Sequence, residues 1–461
     1  MESKWPEFRL DEITTLIIDC PHSTPEWTDS GVIVLRSNNI RNGALDLANP
    51  SFTTEEGYLD RIKRAIPTED DIVLTREAPM GEVCIIPKGL KCCLGQRMVL
   101  IRADKTQVIP EYLLYAIQSS YIQNQISWNE GTGTTVSNIR IPNIKALKIP
   151  LPSLNIQRGI VSNLLSVDKK ISLNIATNQT LEQMSQTLFK SWFVDFDPVI
   201  DNALDAGNPI PEALQSRAEL RQKVRNSADF KPLPADIRAM FTAEFEETEL
   251  GWMPKGWITT SFNDLIELIG GGTPKTSVEE FWNGDIPWFS VVDAPSESDV
   301  YVLTTEKKIT IEGLNNSSAK LLRKGTTIIS ARGTVGKCAM VAVPMAMNQS
   351  CYGVIGKNNI SDEYVYFQLK NAVQTLQQMG HGSVFNTITR DTFKNIKVPF
   401  CNEELTNSYS LLVKNYFSKI LNNNYQNIAL TNLRDTLLPK LISGELSLED
   451  LPNLVNQTEP A

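Results

Sequence analysis

The loops of this sequence are rich in side chains suited to hydrogen bonding rather than to bond breaking. Arginine and lysine can pair with guanine, asparagine and glutamine with adenine, and serine, threonine and histidine bond bases less selectively. One set on expected loops comprises Arg76, Gln96, Arg97, Thr132, Thr134, Thr135, Asn138 and Arg140. A second comprises Arg332, Lys337, Gln349, His381, Ser383, Asn386 and Arg390. Gly131, Gly133, Gly380 and Gly382 sit among them and permit close backbone approach to a phosphate or a groove. Taken singly, each residue has an ordinary alternative as a turn or a solvated position; the two glycine loops are favoured because they repeat.

Catalytic constellations are missing from the pattern. His22 and His381 are the two histidines, too few for a His-rich metal site, and neither stands in an HExxH string. The seven cysteines are scattered, with Cys92 and Cys93 adjacent and no CxxC pair, so neither a disulfide framework nor a zinc site is expected. In Gly270–Thr276, Pro274 stands where a phosphate-binding loop needs glycine before lysine, so a strand-to-loop turn is expected. The chain lacks GxGxxG and the Asn-Pro-Pro-Tyr or Asp-Pro-Pro-Tyr string by which DNA adenine methyltransferases resemble each other. A non-catalytic chain with no cofactor of its own is the expectation. Two rivals stay open: a free-standing DNA-binding or scaffold protein, and an enzyme with its site in one domain.

At 461 residues the chain is long enough for two cores. No run approaches the ~20 apolar residues of a membrane span. The charged N-terminus lacks a signal peptide's apolar stretch, so a cytoplasmic protein is expected. A net charge of −9 is unusual for a partner of nucleic acid, where lysine and arginine neutralise phosphates. Residues 195 to 250 carry 12 acidic and 6 basic side chains, the largest share of the excess, and leave room for basic patches elsewhere.

The chain is internally duplicated. Gly131, Gly133, Ile139, Lys145, Lys148 and Pro150 recur 249 positions later as Gly380, Gly382, Ile388, Lys394, Lys397 and Pro399. The same offset matches Ile171, Asn174, Asn178 and Leu181 to Ile420, Asn423, Asn427 and Leu430. Upstream the echoes are weaker: Thr75-Arg76 with Ala331-Arg332, Gln96 with Gln349, Tyr112 with Tyr364. Each half opens with short β-type runs, such as Asp71–Thr75 and Thr326–Ser330, separated by turn signals. A long helix follows each, from about Asn155 to Phe193 and from about Asn402 to Ser443, expected to be interrupted near its end at Gly159 and Pro439.

Both helices carry alternating three-four spacing. Ile160, Val167, Asn174, Leu181 and Leu188 interleave with Leu164, Ile171, Asn178 and Ser185; Tyr409, Tyr416, Asn423, Leu430 and Leu437 interleave with Val413, Ile420, Asn427 and Arg434. Pairing with each other in antiparallel fashion covers both stripes. Asn174, Asn178, Asn423 and Asn427 then act as register locks, because a buried amide penalises any register that leaves it unpaired; the bland alternative is a solvated helix face. A helix of nearly forty residues spans roughly 60 Å, more than one ~34 Å turn of B-DNA, and can serve as a spacer between two reading heads. Trp192, Phe193 and Phe196 form an apolar cluster that is either core or, as the functional expectation, a docking patch for a partner.

Particular strings resemble a known family. Phe189–Pro198, Leu433–Leu446, and Gly271–Lys275 followed by Phe281–Trp288 look like type I restriction-modification specificity subunits, and the likeness spans nearly the whole chain. The resemblance implies an α+β fold with a pseudo two-fold repeat: two mixed α/β target recognition domains alternating with two conserved helices. On this reading residues 1–152 are the first recognition domain, 153–194 the first long helix, 195–252 an acidic connector, 253–400 the second recognition domain, 401–446 the second helix and 447–461 a tail. The connector departs from the family pattern, being longer and more acidic than a bare link. The resemblance further implies double-stranded DNA, modification subunits and restriction subunits as partners. S-adenosylmethionine, ATP and Mg are expected on those subunits, and Trp192, Phe193 and Phe196 would dock a modification subunit.

Overall fold

A computed structural model of the chain describes residues 3–128, 138–295, 299–379 and 387–450. Two compact units result, one formed by residues 1–172 with 427–461 and the other by residues 173–426.

The first unit begins with β1 (Glu7–Arg9), β2 (Thr14–Asp19) and β3 (Val32–Leu35). The hairpin of β4 (Ile40–Arg41) and β5 (Ala44–Leu45), then β6 (Ser51–Thr53) and α1 (Glu55–Arg61), follow. Next come β7 (Ile72–Arg76), β8 (Met80–Ile85), β9 (Cys92–Leu94) and β10 (Met98–Ala103). Helices α2 (Pro110–Gln118), α3 (Ser120–Trp128) and α4 (Ile141–Lys145) and strand β11 (Lys148–Pro150) lead into the long α5 (Leu154–Phe193). Strands β2, β10, β7 and β8 form an antiparallel sheet in that order. Its apolar runs are covered on both faces, as side chains alternate along a strand. Ile72, Leu74, Val99 and Ile101 pack against Tyr112, Leu113 and Ile117 of α2, whereas Val73, Met98 and Leu100 pack against Leu35, Cys84 and Leu94. A second, mixed sheet has the order β6-β3-β9, with β3 parallel to β9.

The head is tied to its helices by named contacts. Ile160 and Leu164 of α5 share the core with Leu438, Leu441 and Ile442. Asp168 accepts from Tyr115 Oη at 2.6 Å and from Arg434 Nη1 at 3.0 Å. Contrary to expectation, α5 is unbroken at Gly159: a Cβ there would meet Leu448 Cδ1 at 2.3 Å, so the glycine serves close packing. Trp5 Nε1 and Lys4 N donate to the carbonyls of Leu441 and Ser443 at 3.5 and 2.8 Å, capping groups that a helix end leaves unpaired.

The second unit starts with three connector helices, α6 (Asp197–Ala206), α7 (Gln215–Arg225) and α8 (Ala235–Arg238), and the hairpin β12 (Phe245–Thr248) and β13 (Gly251–Pro254). Strands β14 (Ile258–Ser261), β15 (Ile266–Gly270), β16 (Trp282–Phe289), β17 (Tyr301–Val302) and β18 (Lys308–Ile309) follow, with α9 (Phe262–Leu265) between β14 and β15. After α10 (Ile311–Asn315) come β19 (Thr327–Ser330), β20 (Cys338–Val341), β21 (Ala346–Met347) and β22 (Cys351–Gly356). Helices α11 (Asp362–Met379) and α12 (Arg390–Asn395), strand β23 (Lys397–Phe400) and the long α13 (Glu403–Ser443) complete the chain order. Helix α13 also runs unbroken through Pro439, in place of the expected interruption.

The repeat extends to both main sheets, though β17 adds a fifth strand beside β20 in the second head and, among the described residues, the β4-β5 hairpin belongs to the first alone. The order β15-β22-β19-β20 reproduces β2-β10-β7-β8, and β18-β16-β21 reproduces β6-β3-β9 down to the parallel pairing of β16 with β21. One expected echo shifts by a residue. Thr75 Oγ1 accepts from Glu82 N at 3.0 Å and Ser330 Oγ from Lys337 N at 2.9 Å. Ile139 N donates to Arg76 O, and Ile388 N to Ala331 O. Thr75-Arg76 therefore corresponds to Ser330-Ala331, because strand register follows these bonds rather than the shared arginine.

Within this unit α5 and α13 pair antiparallel. Tyr409 Oη donates to Ser185 O at 2.9 Å, Asn423 Nδ2 to Asn178 Oδ1 at 2.8 Å, Asn178 Nδ2 to Asn424 Oδ1 at 2.6 Å and Asn174 Nδ2 to Gln426 Oε1 at 2.9 Å. Asn174, Asn178 and Asn423 are buried, whereas Asn427 is half-buried.

Trp192, Phe193 and Phe196 are core residues and not a docking patch. Their exposures are 1%, 3% and 7%. Trp192 meets Phe241 edge-on at 5.1 Å, Phe193 meets Tyr364 at 4.9 Å and Phe196 meets Trp257 at 5.5 Å. The connector supplies Phe241, so the fold of this segment covers what the sequence left bare. Part of its acidity is paired internally: Asp197, Asp201 and Asp205, one turn apart on α6, pair with Arg217, Arg221 and Arg225, one turn apart on α7.

Candidate nucleic-acid interface

In the first head, the end of β7, the turn into β10 and the segment before α4 come together. Arg76 N donates to Arg97 O at 2.8 Å, and Glu77 pairs with Asn138 across an isolated bridge. Arg76, Gln96, Arg97, Asn138 and Arg140 therefore share one rim. Their side chains differ in availability. Arg76 is 17% exposed, and its Nη1 donates to both oxygens of Asp19 at 2.8 and 2.7 Å while Nε donates to Ile139 O at 3.1 Å. That guanidinium is a strut of the rim and not an open reader. Gln96 Nε2 donates to His22 O, fastening the loop after β2. Arg97 is exposed, at φ 66°, a left-handed conformation that costs a non-glycine residue roughly 1–3 kcal/mol and needs support from its surroundings. Glu77 Oε2 lies 3.4 Å from its Nε. Arg140 is exposed at the N-terminus of α4, and Asn138 is half-buried.

The second head repeats the arrangement with other side chains. Arg332 bridges to Thr387, and Ala331 N donates to Ser350 O at 2.8 Å. Arg332 is exposed; Lys337 lines a cleft of about 540 Å³ with Thr334, Lys370 and Gln374. Gln349 Oε1 accepts from Thr273 Oγ1, and exposed Arg390 donates to Leu268 O at 3.3 Å. Thr132, Thr134 and Thr135 in one head, and His381, Ser383 and Asn386 in the other, lie outside the described residues.

Three rim residues escaped sequence reasoning. Trp27 is 45% exposed, and Arg36 lies across its ring with Cζ 5.1 Å from the centroid. His22 Nε2 lies 3.1 Å from Asp19 Oδ2. Trp282 at the start of β16 answers to Trp27 ahead of β3, a partner shifted by one residue, whereas no identical residue answers to Arg36 or His22 in the second half. Among the described residues, no group of three His, Cys, Asp or Glu side chains is placed to hold a metal ion. Burial pushes the Cys84 and Cys92 thiols up to about 12, which keeps them protonated and unreactive. No described helix is long and apolar enough to cross a membrane.

The sequence pattern described as type I restriction modification DNA specificity domain matches residues 2–183 and again 254–432. The chain belongs to that family of DNA specificity domains. The specificity subunit of the type I restriction enzyme HindI from Haemophilus influenzae is 28% identical over 373 residues, covering 77% of this chain and 81% of the relative. The MjaIX specificity subunit of Methanocaldococcus jannaschii is 29% identical over 189 residues, covering 41% of this chain and 44% of the relative. A crystal structure of a type I restriction-modification S subunit from M. genitalium superposes with a TM-score of 0.52 over 95% of this chain and 96% of that one, at 16% identity, a likeness of fold. Each match covers one head and most of the long helix that follows it, and the stretch between the matches contains the connector helices α6, α7 and α8.

Proposed function

We propose that this chain is the non-catalytic specificity subunit of a type I restriction-modification complex and reads a bipartite site on double-stranded DNA, one half-site per recognition domain. One observation carries the reading: two heads that share a four-strand order and a three-strand order present different side chains at corresponding rim positions. Arg76 answers to Ala331, Glu77 to Arg332, Glu82 to Lys337 and Arg97 to Ser350. A scaffold kept constant while its contact chemistry changes suits two unlike half-sites, since base edges are distinguished by donor and acceptor pattern. Exposed Arg140, Arg332 and Arg390 supply cationic contacts in spite of the net negative charge.

The 40 residues of α5 and 41 of α13 give each helix about 60 Å of rise, and their pairing sets the unread gap. Modification subunits then transfer methyl groups from S-adenosylmethionine, and restriction subunits cleave with ATP and Mg. Co-purification with a modification subunit, followed by mapping of the methylated bases, tests this. A bipartite methylated motif supports it; sequence-specific binding by the chain without any methyltransferase partner would indicate a free-standing binder, and turnover by the chain alone an enzyme.

A further inference from the structure

Helix α1 presents Arg61 to the interior of the first head, where it is 6% exposed. Its Nε donates to Leu94 O at 2.7 Å, Nη1 to Ser23 O at 3.0 Å and Nη2 to Pro21 O at 3.2 Å. These bonds fasten the loop that leaves β2, and Trp27 follows four residues after Ser23, half-exposed at the rim.

Arg36 rests on that ring. It follows β3 directly, and Gly95 N donates to Leu35 O at 2.7 Å, which brings Arg36 beside the Gln96-Arg97 turn. Its backbone N–H donates to Asn39 Oδ1 at 2.9 Å, closing a short capped turn. The same turn recurs in the second head, where Ser290 N donates to Asp293 Oδ2 at 2.8 Å and Asn348 N donates to Phe289 O. Arg36 thus answers to Ser290 on an identical backbone device. Arg76 and Arg97 have carboxylate partners, but among the described residues no carboxylate pairs with Arg36, whose Nη1 donates to Ser51 Oγ at 3.4 Å. A guanidinium resting over an aromatic face loses less freedom when its planar fork meets a base.

We infer that Arg36, laid across Trp27, is a specificity-determining side chain of the first head that pairs with a guanine in its half-site. The inference rests on the bipartite DNA-reading role proposed above. Guanine offers O6 and N7 together in the major groove, the arrangement an arginine fork matches.

The test uses the complex assembled with its modification subunits and reads the methylated motif of wild type, Arg36→Ala, Trp27→Leu and Ser290→Ala. Arg36→Ala is expected to lower discrimination at one guanine position in one half-site by roughly 10- to 100-fold and to leave the other half intact. Trp27→Leu should relax the same position, and any change caused by Ser290→Ala should fall in the other half. An unchanged motif for Arg36→Ala overturns the inference, as does affinity lowered equally on all sequences, which marks a phosphate contact. Should Ser290→Ala alter the same half as Arg36→Ala, it is overturned too. A wild-type complex that methylates no bipartite motif instead refutes the underlying role.

Discussion

Asn423 and Asn178 face each other across the α5–α13 pair, Nδ2 to Oδ1 at 2.8 Å, and both are buried. Replacing Asn178 with Ala leaves Asn423 and Asn424 without their partner, at a cost of about 1–3 kcal/mol. Asn178→Leu with Asn423→Leu should recover part of that loss, Asn424 still lacking its bond, but weaken register selection, since fewer buried amides then object to a slipped pairing. Chemical denaturation of the single and double variants checks both statements; full additivity of the single losses would mean that the two amides are uncoupled.

Trp192 packs against Phe241, Phe193 and Tyr409. Trp192→Ala is expected to destabilise the second unit by about 3–5 kcal/mol, the range for deleting a buried large aromatic. Unfolding monitored on the isolated chain shows this. A variant of unchanged stability that fails to bind a modification subunit would restore the docking reading.

The α6–α7 ladder should respond to acid. Arg238 and Arg225 hold the Asp205 carboxyl below the usual carboxylate range. A folded value below the unfolded one gives a contribution fully present above about pH 4 and lost as pH falls further. Asp205 is 44% exposed, so solvent screens the pair and the effect on global stability is small. Amide exchange of residues 215–225, corrected for intrinsic rates, should show less protection at pH 3 than at pH 6, and Asp205→Asn should shrink the difference. Equal protection at both pH values would show that the ladder contributes nothing.

Arg97 and Arg332 belong to different heads and are both exposed. Arg97→Ala should relax bases in one half-site and Arg332→Ala in the other, each by about 1–3 kcal/mol of discrimination where a bidentate base contact is lost. The double variant should show the sum. Competition binding with half-site variants measures this, and two substitutions acting on the same half would contradict one head per half-site.

The long helices were legible because their seam repeats in sequence, and the same offset carries Lys148-Ile-Pro150 onto Lys397-Val-Pro399, strands that pair with β1 and β14. Gly159 and Pro439 read as breaks because propensity ignores tertiary packing such as that of Leu448 on Gly159. Thr75 was aligned one residue off because the match followed the shared arginine; the turns joining β7 to β8 and β19 to β20 are equally long, and only the hydrogen bonds fix the register. Trp192 was open to both readings, core or docking patch, because nothing in its neighbourhood announces Phe241, forty-nine positions on. The ladder was visible in principle: Asp197, Asp201 and Asp205 and Arg217, Arg221 and Arg225 share a four-residue spacing. Arg36 was hidden because its value depends on Trp27, which a loop brings beneath it.

The central claim is that paired helices separate two unlike DNA readers. Deleting one heptad from each of α5 and α13 removes about 10 Å of rise, roughly three base pairs of B-DNA, while keeping the helix faces in phase. Methylated motifs should be mapped for complexes built with the intact and the shortened chain. The expected result is two different fixed half-sites in both cases with a changed gap between them; an unchanged gap, or altered bases within the half-sites, would contradict it.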